Sequence, residues 1–459
     1  MKYAVTATLA LALLSSTTLL HAQEEDGAGG ARRGAPPMGP IQGAGFHTTY
    51  VRLGAQGEGL LYEPTSAGAK ARIAIIFTHP ANNNFSAPIG PQMAMRGYRV
   101  MNVNYRGRDG VDEYADVSLP SISAAVTYLR SLPGVEKVII SGHSGGTHEM
   151  ALYENVAEHG PSACNGPEKV GPCRTDRATN LARADGLILL DPPLGAFHAM
   201  SSIDPSVDPV TGKRDPALDM FNPANGYDPA TRSGKYSAAF AKKFFAAQSA
   251  RGNQYLDRAL ARAKAIHEGK GEFSNDEPLI LKGQGVEANG ARLYQPDVAF
   301  VSHTKKPHLL LKADGTEQQT IIHTVRPAEG RAAGNLNALG VTNDATLVSR
   351  FLQRESIRTT ADYAFTEDDI VGVDWKSSID SGPGNAEGVT IPALVLAMTC
   401  HYLVVPGEIY FDHLGSKDKT FAAVEGATHG FAPCKPEYGN TTQRTFDFVD
   451  SWLSKPGRF

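Results

Sequence analysis

One stretch of this 459-residue chain joins an apolar strand to a helix through a turn rich in glycine. The strand is Lys137–Ser141, and a helix is predicted from about Gly146 to His159, where Gly160 ends it. Between them stands the run Gly142-His143-Ser144-Gly145-Gly146. Glycines two positions before and after Ser144 leave room for a sharp turn because they carry no β-carbon.

The chain on both sides of this turn alternates strand and helix signals. Its other strand signals are apolar almost throughout, which is typical of strands buried on both faces of a parallel sheet: Arg72–Phe77, Arg99–Tyr105, Gly186–Leu190, Ala393–Ala397 and Thr420–Val424. A last helix carries Phe446, Val449, Trp452 and Leu453 on one face. We therefore predict an α/β fold with a mostly parallel central sheet flanked by helices.

The N-terminus differs in composition from the rest of the chain. Met1-Lys2 leads into an uncharged, apolar-rich run that ends near the small residue Ala22. This arrangement predicts a signal peptide over residues 1–22. An uncleaved membrane anchor is the alternative, although Ser15–Thr18 interrupts the apolar run. Residues 23–45 are rich in Gly, Pro and Ala and are predicted to be a flexible linker.

The alternation of strands and helices stops in the middle of the chain. That part contains helical spacing of aromatic residues and a hairpin signal formed by His308–Lys312 and Gln319–Val325. It is too long for a loop, so we predict a cap or lid over residues 195–388, inserted between strands 6 and 7. The core then comprises residues 46–194 and 389–459.

Charge and cysteine content limit the partners and the compartment. The formal net charge is −4 and no long basic run is present, so no nucleic-acid partner is expected. The four cysteines of an exported chain suggest disulfides, which we expect to pair Cys164 with Cys173 and Cys400 with Cys434. No Cys/His spacing is that of a compact metal site, and neither a metal nor a cofactor is predicted.

Ser144 is the candidate nucleophile, because a strand-to-helix turn exposes a serine hydroxyl at the edge of the sheet. A surface serine in a glycine-rich turn is the alternative. The hydroxyl needs a base to accept its proton. His429 follows the last predicted strand on a loop of small residues, so we predict that it is this base.

These motifs resemble those of the α/β-hydrolase superfamily. Gly142–Gly146 and the run Gly426-Ala427-Thr428-His429-Gly430-Phe431 are similar to motifs of its esterases, lipases and dienelactone-hydrolase-like members. The resemblance in element order covers residues 48–194 and 388–455. It implies the α/β-hydrolase fold and ester hydrolysis by a serine nucleophile, and it implies no particular substrate.

The oxyanion hole of such an enzyme needs two backbone N–H donors. Gly145, directly after the candidate nucleophile, would supply one. The other is expected in the loop after strand Arg72–Phe77, where many family members have His-Gly. This chain has His79-Pro80 instead, and Pro80 has no N–H. Ala81 is therefore the candidate for the second donor.

The acid of the triad is the least determined residue. The order serine, acid, histidine places it after strand Ala393–Ala397, but the usual Asp position holds His401. The next acid is Glu408, and Asp191, after strand Gly186–Leu190, is the alternative. A charge in the first turn of a helix would also explain Glu408, and a turn cap would also explain Asp191. We predict Glu408 and keep Asp191 as the alternative acid.

The sequence therefore predicts a periplasmic or secreted carboxylic-ester hydrolase that acts through Ser144, His429 and an acid, with an acyl-enzyme intermediate. The substrate would be a small-molecule or polymer ester, and no stable membrane insertion is expected after signal cleavage. We expect His143, His148 and His401 to support the site or contact substrate. Two alternatives stay open: a serine peptidase or amidase on the same fold, and a non-catalytic binding protein on a degenerate hydrolase fold.

Overall fold

The computed structural model describes residues 45–80, 83–105, 114–284, 290–329 and 343–459. The predicted signal peptide and nearly all of the predicted linker lie outside the described residues. Among the helices of these ranges, none combines the length and the apolar character needed to cross a membrane.

The strands, in chain order, are β1 Phe46–Arg52, β2 Gly57–Pro64, β3 Ile73–Thr78, β4 Arg99–Tyr105, β5 Lys137–His143, β6 Gly186–Leu190, β7 Tyr227–Asp228, β8 Ser233–Gly234, β9 Pro278–Lys282, β10 His303–Leu311, β11 Glu317–His323, β12 Asn343–Leu347, β13 Arg358–Phe365, β14 Ile370–Asp374, β15 Ala393–Met398 and β16 Lys419–Val424. The helices are α1 Ile89–Met95, α2 Leu119–Ser131, α3 Gly146–His159, α4 Ala196–Met200, α5 Ala238–His267, α6 Val348–Arg350, α7 Gly382–Ala386, α8 Val404–His413 and α9 Thr441–Leu453.

Ten of these strands form one central sheet in the order β1-β2-β4-β3-β5-β6-β15-β16-β10-β11. Neighbouring strands run parallel from β4 to β10. The outer strands β1, β2 and β11 pair antiparallel with their neighbours. The mostly parallel sheet confirms the fold class that the alternating signals predicted.

The central strands are apolar because helices cover both faces of the sheet. Every residue of β3, β6 and β15 is buried. On β3, Ala74 and Ile76 pack on the side of α2, α3 and α8, whereas Ile75 and Phe77 pack on the side of α1 and α9. Since each fully buried apolar side chain contributes about 1.5–3 kcal/mol, this two-sided packing fixes the carboxyl ends of the strands firmly.

Part of the stretch predicted to be a cap extends the central sheet. The predicted hairpin is formed by β10 and β11, and Leu309–Leu311 of β10 pair in parallel with Ala422–Val424 of β16. The other described strands of this stretch form the two-stranded sheets β7–β8, β9–β12 and β13–β14. The 30-residue helix α5 packs against β9 and β13, with Tyr255 and Leu256 fully buried.

Both expected disulfides are formed. Cys164 is bonded to Cys173 and Cys400 to Cys434, with Cα–Cα distances of 5.6 and 6.3 Å. Cys400 follows β15 and Cys434 lies beyond β16. The second bond therefore ties together the loops that leave two neighbouring strands.

The loop after β16 is fixed by the last helix. The Asn440 side chain caps α9 by accepting a hydrogen bond from the Gln443 backbone N–H. Phe446 of α9 is fully buried, and its ring lies 5.4 Å from that of Phe431 in the loop. Thr441 donates its hydroxyl to the Phe431 carbonyl. The helix thus holds the loop that carries His429.

We predict that Phe446→Ala lowers the free energy of unfolding by about 3–5 kcal/mol, because it leaves a cavity between α9 and this loop. Urea unfolding measures the effect. Phe273→Ala is the control, since Phe273 is 55% exposed and its truncation leaves no buried cavity. Equal unfolding free energies for the two variants would contradict this packing.

Candidate active site

Ser144 occupies the turn between β5 and α3 in a strained conformation. Its φ is 50°, in the left-handed region that residues with a β-carbon rarely adopt. The Ser144 N–H donates to the Leu190 carbonyl at 3.1 Å. Its own carbonyl accepts the Thr147 hydroxyl at 2.6 Å. These bonds tie the turn to β6 and to the first turn of α3.

The glycines around Ser144 are required by close backbone contacts. A β-carbon on Gly142 would lie 2.2 Å from the Gly146 carbonyl oxygen. A β-carbon on Gly146 would lie 2.2 Å from the carbonyl oxygen of Thr78, the last residue of β3. The turn therefore requires the glycine spacing seen in the sequence. Without β-carbons at these two positions, α3 can begin directly beside β3.

Asp191 lies at the end of β6, and two histidines donate to one of its oxygens. Its Oδ2 accepts hydrogen bonds from His429 Nδ1 at 2.6 Å and from His401 Nδ1 at 2.7 Å. Its Oδ1 accepts the Met398 N–H at 3.0 Å. Asp191 has no exposed surface and a φ of 47°. The structure therefore brings the alternative acid to the candidate base.

The electrostatics of this cluster favour the ionised carboxylate. Burial alone would raise the pKa of the Asp191 carboxyl, but His401 and His429 hold that pKa below its ordinary value. A carboxylate fixes the proton of each imidazole on Nδ1. In a neutral imidazole with this tautomer, Nε2 is the ring nitrogen that can accept a proton.

His143 links the loop of His429 to the serine turn. It directly precedes Ser144, and its Nε2 donates to the His429 carbonyl at 2.8 Å, with ring centroids 4.4 Å apart. Burial lowers the pKa of His143 well below its usual value, and the neighbouring His429 and His79 lower it further. A neutral His143 therefore holds the candidate base against the strand that carries Ser144.

Glu408, the acid preferred from the sequence, lies elsewhere. Its carboxylate accepts the backbone N–H groups of Lys305 and Lys306 at 2.7 and 3.0 Å, and His308 Nε2 at 2.8 Å. In the described part of the chain, none of its hydrogen bonds goes to His429. The physical reason is that β10 joins the sheet beside β16. Glu408 on α8 therefore accepts hydrogen bonds from backbone N–H groups at the start of β10.

The oxyanion candidates are described only in part. Gly145 precedes α3, and a β-carbon on it would lie 3.0 Å from Pro80 Cγ. The loop after β3 therefore meets the serine turn at Gly145. Ala81 lies outside the described residues.

One group of described side chains has the spacing of a metal site. Ligand atoms of Asp191, His401 and His429 lie within 4.8 Å of one another. However, both Nδ1 atoms donate to the same carboxylate oxygen, and a protonated nitrogen cannot bind a metal at the same time. The hydrogen bonds therefore account for the cluster.

The structure also shows a second buried histidine–aspartate pair near the turn, which the sequence did not indicate. His148 Nδ1 lies 2.6 Å from Asp380 Oδ1, and both residues are buried. The two residues are 232 positions apart. No local spacing could have paired them.

We predict that Gly142→Ala and Gly146→Ala each lower the free energy of unfolding by at least about 2 kcal/mol, because the added carbon meets backbone atoms that cannot rotate away. Urea unfolding again measures the effect. Gly430→Ala is the control, because a β-carbon there meets nothing within 4 Å. If all three alanine variants are equally stable, the turn does not have this geometry.

We predict that Asp191→Asn costs about 3 kcal/mol of unfolding free energy at pH 7, since it removes a buried charge from its partners. The native pKa of Asp191 is depressed, so its contribution is present above the ordinary carboxyl pKa and is lost as pH falls through the native pKa. The difference between wild type and variant should persist from pH 7 to 5 and shrink below about pH 4. A difference that vanishes between pH 7 and 5 would contradict the depressed pKa.

Comparison with known proteins gives weak matches to solved esterase structures, while no family model and no curated protein matches. Esterase B from Lactobacillus rhamnosis is 16% identical with a TM-score of 0.26, over 34% of this chain and 50% of that chain. The chain thus spans about half the length of that esterase.

Two further structures match over more of their length. Est1E from Butyrivibrio proteoclasticus is 12% identical, with a TM-score of 0.35, over 89% of this chain and 99% of that one. Carboxyl esterase 2 from Tuber melanosporum is 13% identical, with a TM-score of 0.39, over 90% of this chain and 87% of that one. These scores are low, so the fold is assigned from the sheet order and the serine turn. On those grounds the chain has the α/β-hydrolase fold.

Proposed function

We propose that this protein is a carboxylic-ester hydrolase with Ser144 as nucleophile, His429 as general base and Asp191 as the acid that orients the base. The observation that carries the proposal is the 2.6 Å hydrogen bond from His429 Nδ1 to the buried Asp191 carboxylate, close to a strained serine turn. A strained serine on a strand-to-helix turn is the arrangement that exposes a nucleophile in this fold.

Acylation begins with proton transfer. His429 Nε2 accepts the Ser144 proton while Ser144 Oγ forms a bond to the acyl carbon, and the carbonyl π electrons move to oxygen. The Gly145 N–H and a donor in the loop after β3, for which we propose Ala81, hold the resulting oxyanion. When the intermediate collapses, His429 gives its proton to the departing alkoxide, which leaves as an alcohol.

Deacylation repeats these steps with water. His429 Nε2 accepts a proton from the water molecule as its oxygen attacks the acyl carbon. The second tetrahedral intermediate expels Ser144 Oγ, which takes the proton back from His429. The carboxylic acid product then leaves, and the enzyme is restored.

Asp191 acts through His429. Its carboxylate fixes the Nδ1–H tautomer and stabilises the imidazolium that forms during both steps. Three hydrogen bonds to its side chain hold the carboxylate in place before substrate binds. We therefore replace Glu408, the first choice from the sequence, with Asp191.

We also propose that the enzyme works outside the cytoplasm. The predicted signal peptide and the two disulfides, Cys164–Cys173 and Cys400–Cys434, support this compartment. Disulfides of this kind persist in oxidising surroundings, whereas cytosolic thiols are kept reduced.

Activity of variants on a panel of short-chain and aromatic esters tests the proposal. We expect Ser144→Ala to abolish turnover and Asp191→Asn to lower kcat by about 10³- to 10⁴-fold, because the base then loses its orientation and its charge partner. Glu408→Gln is a matched control, since Glu408 is also buried and also bound to a histidine. We expect it to retain kcat within about threefold, since side-chain changes away from the reacting atoms leave transition-state stabilisation intact.

Labelling with a fluorophosphonate separates the alternatives. An adduct on Ser144 together with cleavage of peptide amides, but not of esters, would favour a peptidase or amidase. A folded wild-type protein that neither labels nor turns over any ester would be a non-catalytic binding protein. Loss of activity in Glu408→Gln but not in Asp191→Asn would overturn the acid assignment alone.

A further inference from the structure

His401 lies beside the proposed base and shares its carboxylate. It follows β15, and its Nδ1 donates to Asp191 Oδ2 at 2.7 Å. The same oxygen accepts His429 Nδ1 at 2.6 Å, and the ring centroids of the two histidines are 4.5 Å apart. One carboxylate oxygen therefore holds two imidazoles side by side, each through its Nδ1.

The other ring nitrogen of His401 is a hydrogen-bond acceptor that faces open space. Above the pH range in which an imidazole ordinarily titrates, the Nδ1–H donor leaves Nε2 with a lone pair and no proton. Within the residues that the structure describes, this Nε2 forms no hydrogen bond, and it is not enclosed. The side chains of His401 and His429 are 13% and 20% exposed. Both imidazoles therefore border the space that solvent can enter.

The two Nε2 atoms are spaced for one water molecule. Each Nε2 lies close to its own ring centroid, so the 4.5 Å between the centroids places the two nitrogens about 4–6 Å apart. A water molecule that donates both O–H groups over about 2.8 Å separates its two acceptors by about 4.5 Å. One water oxygen can therefore lie within hydrogen-bonding distance of His401 Nε2 and His429 Nε2 together.

The sheet order places His401 away from the serine. Ser144 follows β5, Asp191 follows β6 and His401 follows β15, and these three strands are neighbours in that order. In an acyl-enzyme the acyl carbon is bonded to Ser144 Oγ, so water has to reach that carbon from another direction. Because His401 lies beyond Asp191 from the serine, its acceptor does not compete with Ser144 Oγ for the same space.

We propose that His401 is a further catalytic residue, which holds the deacylating water by accepting one of its two O–H groups. The inference rests on the proposed esterase function and assigns a residue to its second step. The water molecule donates one O–H to His429 Nε2 and the other to His401 Nε2. With both hydrogens held in this way, the orientation of the oxygen toward the acyl carbon is fixed before it attacks.

The proton balance of deacylation is unchanged by this bond. As the water oxygen bonds to the acyl carbon, His429 Nε2 takes one proton and the carbonyl electron pair moves to oxygen. The second hydrogen stays on the attacking oxygen and donates to His401 Nε2. Ser144 Oγ then leaves with the proton from His429, and the second hydrogen becomes the O–H of the carboxylic acid. Acylation does not use His401, because a departing alkoxide has no O–H to donate.

Competition between water and methanol at pH 8 tests the proposal, with p-nitrophenyl acetate as the acyl donor. Methanol has a single O–H, which it gives to His429, so its attack does not need the second acceptor. We expect His401→Phe to slow hydrolysis of the acyl-enzyme by about 10- to 100-fold, because the water is then poorly oriented. The ratio of methyl acetate to acetate should rise by the same factor.

The rate of the first p-nitrophenol release measures acylation in the same variants. We expect His401→Phe to keep this rate within about threefold of wild type, since the bond to His401 forms only in deacylation. His159→Phe is the control for the substitution, because His159 ends α3 and is bound to the Gly388 carbonyl. We expect it to keep both the methanol ratio and the acylation rate.

Two further substitutions separate the acceptor of His401 from its donor. His401→Asn places an amide N–H near the position of Nδ1, so Asp191 keeps a donor but no acceptor replaces Nε2. His401→Gln extends an amide oxygen toward the position of Nε2, so an acceptor is kept. We expect the methanol ratio of His401→Asn to rise like that of His401→Phe, and that of His401→Gln to stay closer to wild type. His401→Asn carries the test if His401→Phe does not fold.

Three results would overturn the proposal. If His401→Phe slows acylation and hydrolysis equally, and His401→Asn restores both, His401 acts only through Asp191 and does not hold the water. If His401→Phe and His401→Asn keep the methanol ratio of His159→Phe, the role is also wrong, and the esterase function stands. If the wild type neither turns over esters nor labels at Ser144, the proposed function fails, and this role fails with it.

Discussion

The site depends on one buried carboxylate oxygen. Asp191 Oδ2 accepts hydrogen bonds from both His429 and His401, at 2.6 and 2.7 Å. A carboxylate without exposed surface is costly unless its partners are in place, so the loops that carry these histidines are fixed by the requirement to satisfy it. The Cys400–Cys434 bond joins the same two loops covalently. Removing Asp191 would therefore disturb the base, its neighbour and the ends of two strands together.

Backbone strain is located at the ends of two adjacent strands. Ser144 after β5 and Asp191 after β6 both have positive φ, at 50° and 47°. They are connected, because the Ser144 N–H donates to the carbonyl of Leu190, the residue before Asp191. Such strain persists only where surrounding contacts hold the backbone in place. At Ser144, the close contacts of Gly142 and Gly146 do so. At Asp191, the Met398 N–H donates to the side chain and holds it in place.

Much of this arrangement could be predicted from local patterns. The glycine spacing identified the turn at Ser144, the apolar runs identified the parallel sheet, and the position after the last strand identified His429. Which of Asp191 and Glu408 lies beside His429 was predicted wrongly, because the order of residues along the chain does not show which strand ends face each other. A correct prediction required knowing that β10 lies beside β16 and that a backbone N–H of β10 donates to Glu408. His148 and Asp380 are paired only by the packing of α3 against the segment before α7.

The central claim is that Asp191 is the acid bound to His429, and proton NMR of the histidine Nδ1–H groups tests it most directly. The imidazole N–H protons in short imidazole–carboxylate hydrogen bonds resonate far downfield of backbone amide protons. With ¹⁵N-labelled histidine, and with His429→Gln to assign the signal, we expect a downfield His429 Nδ1–H resonance. It should disappear in Asp191→Asn and persist in Glu408→Gln. A His429 resonance that survives in Asp191→Asn and is lost in Glu408→Gln would contradict the account.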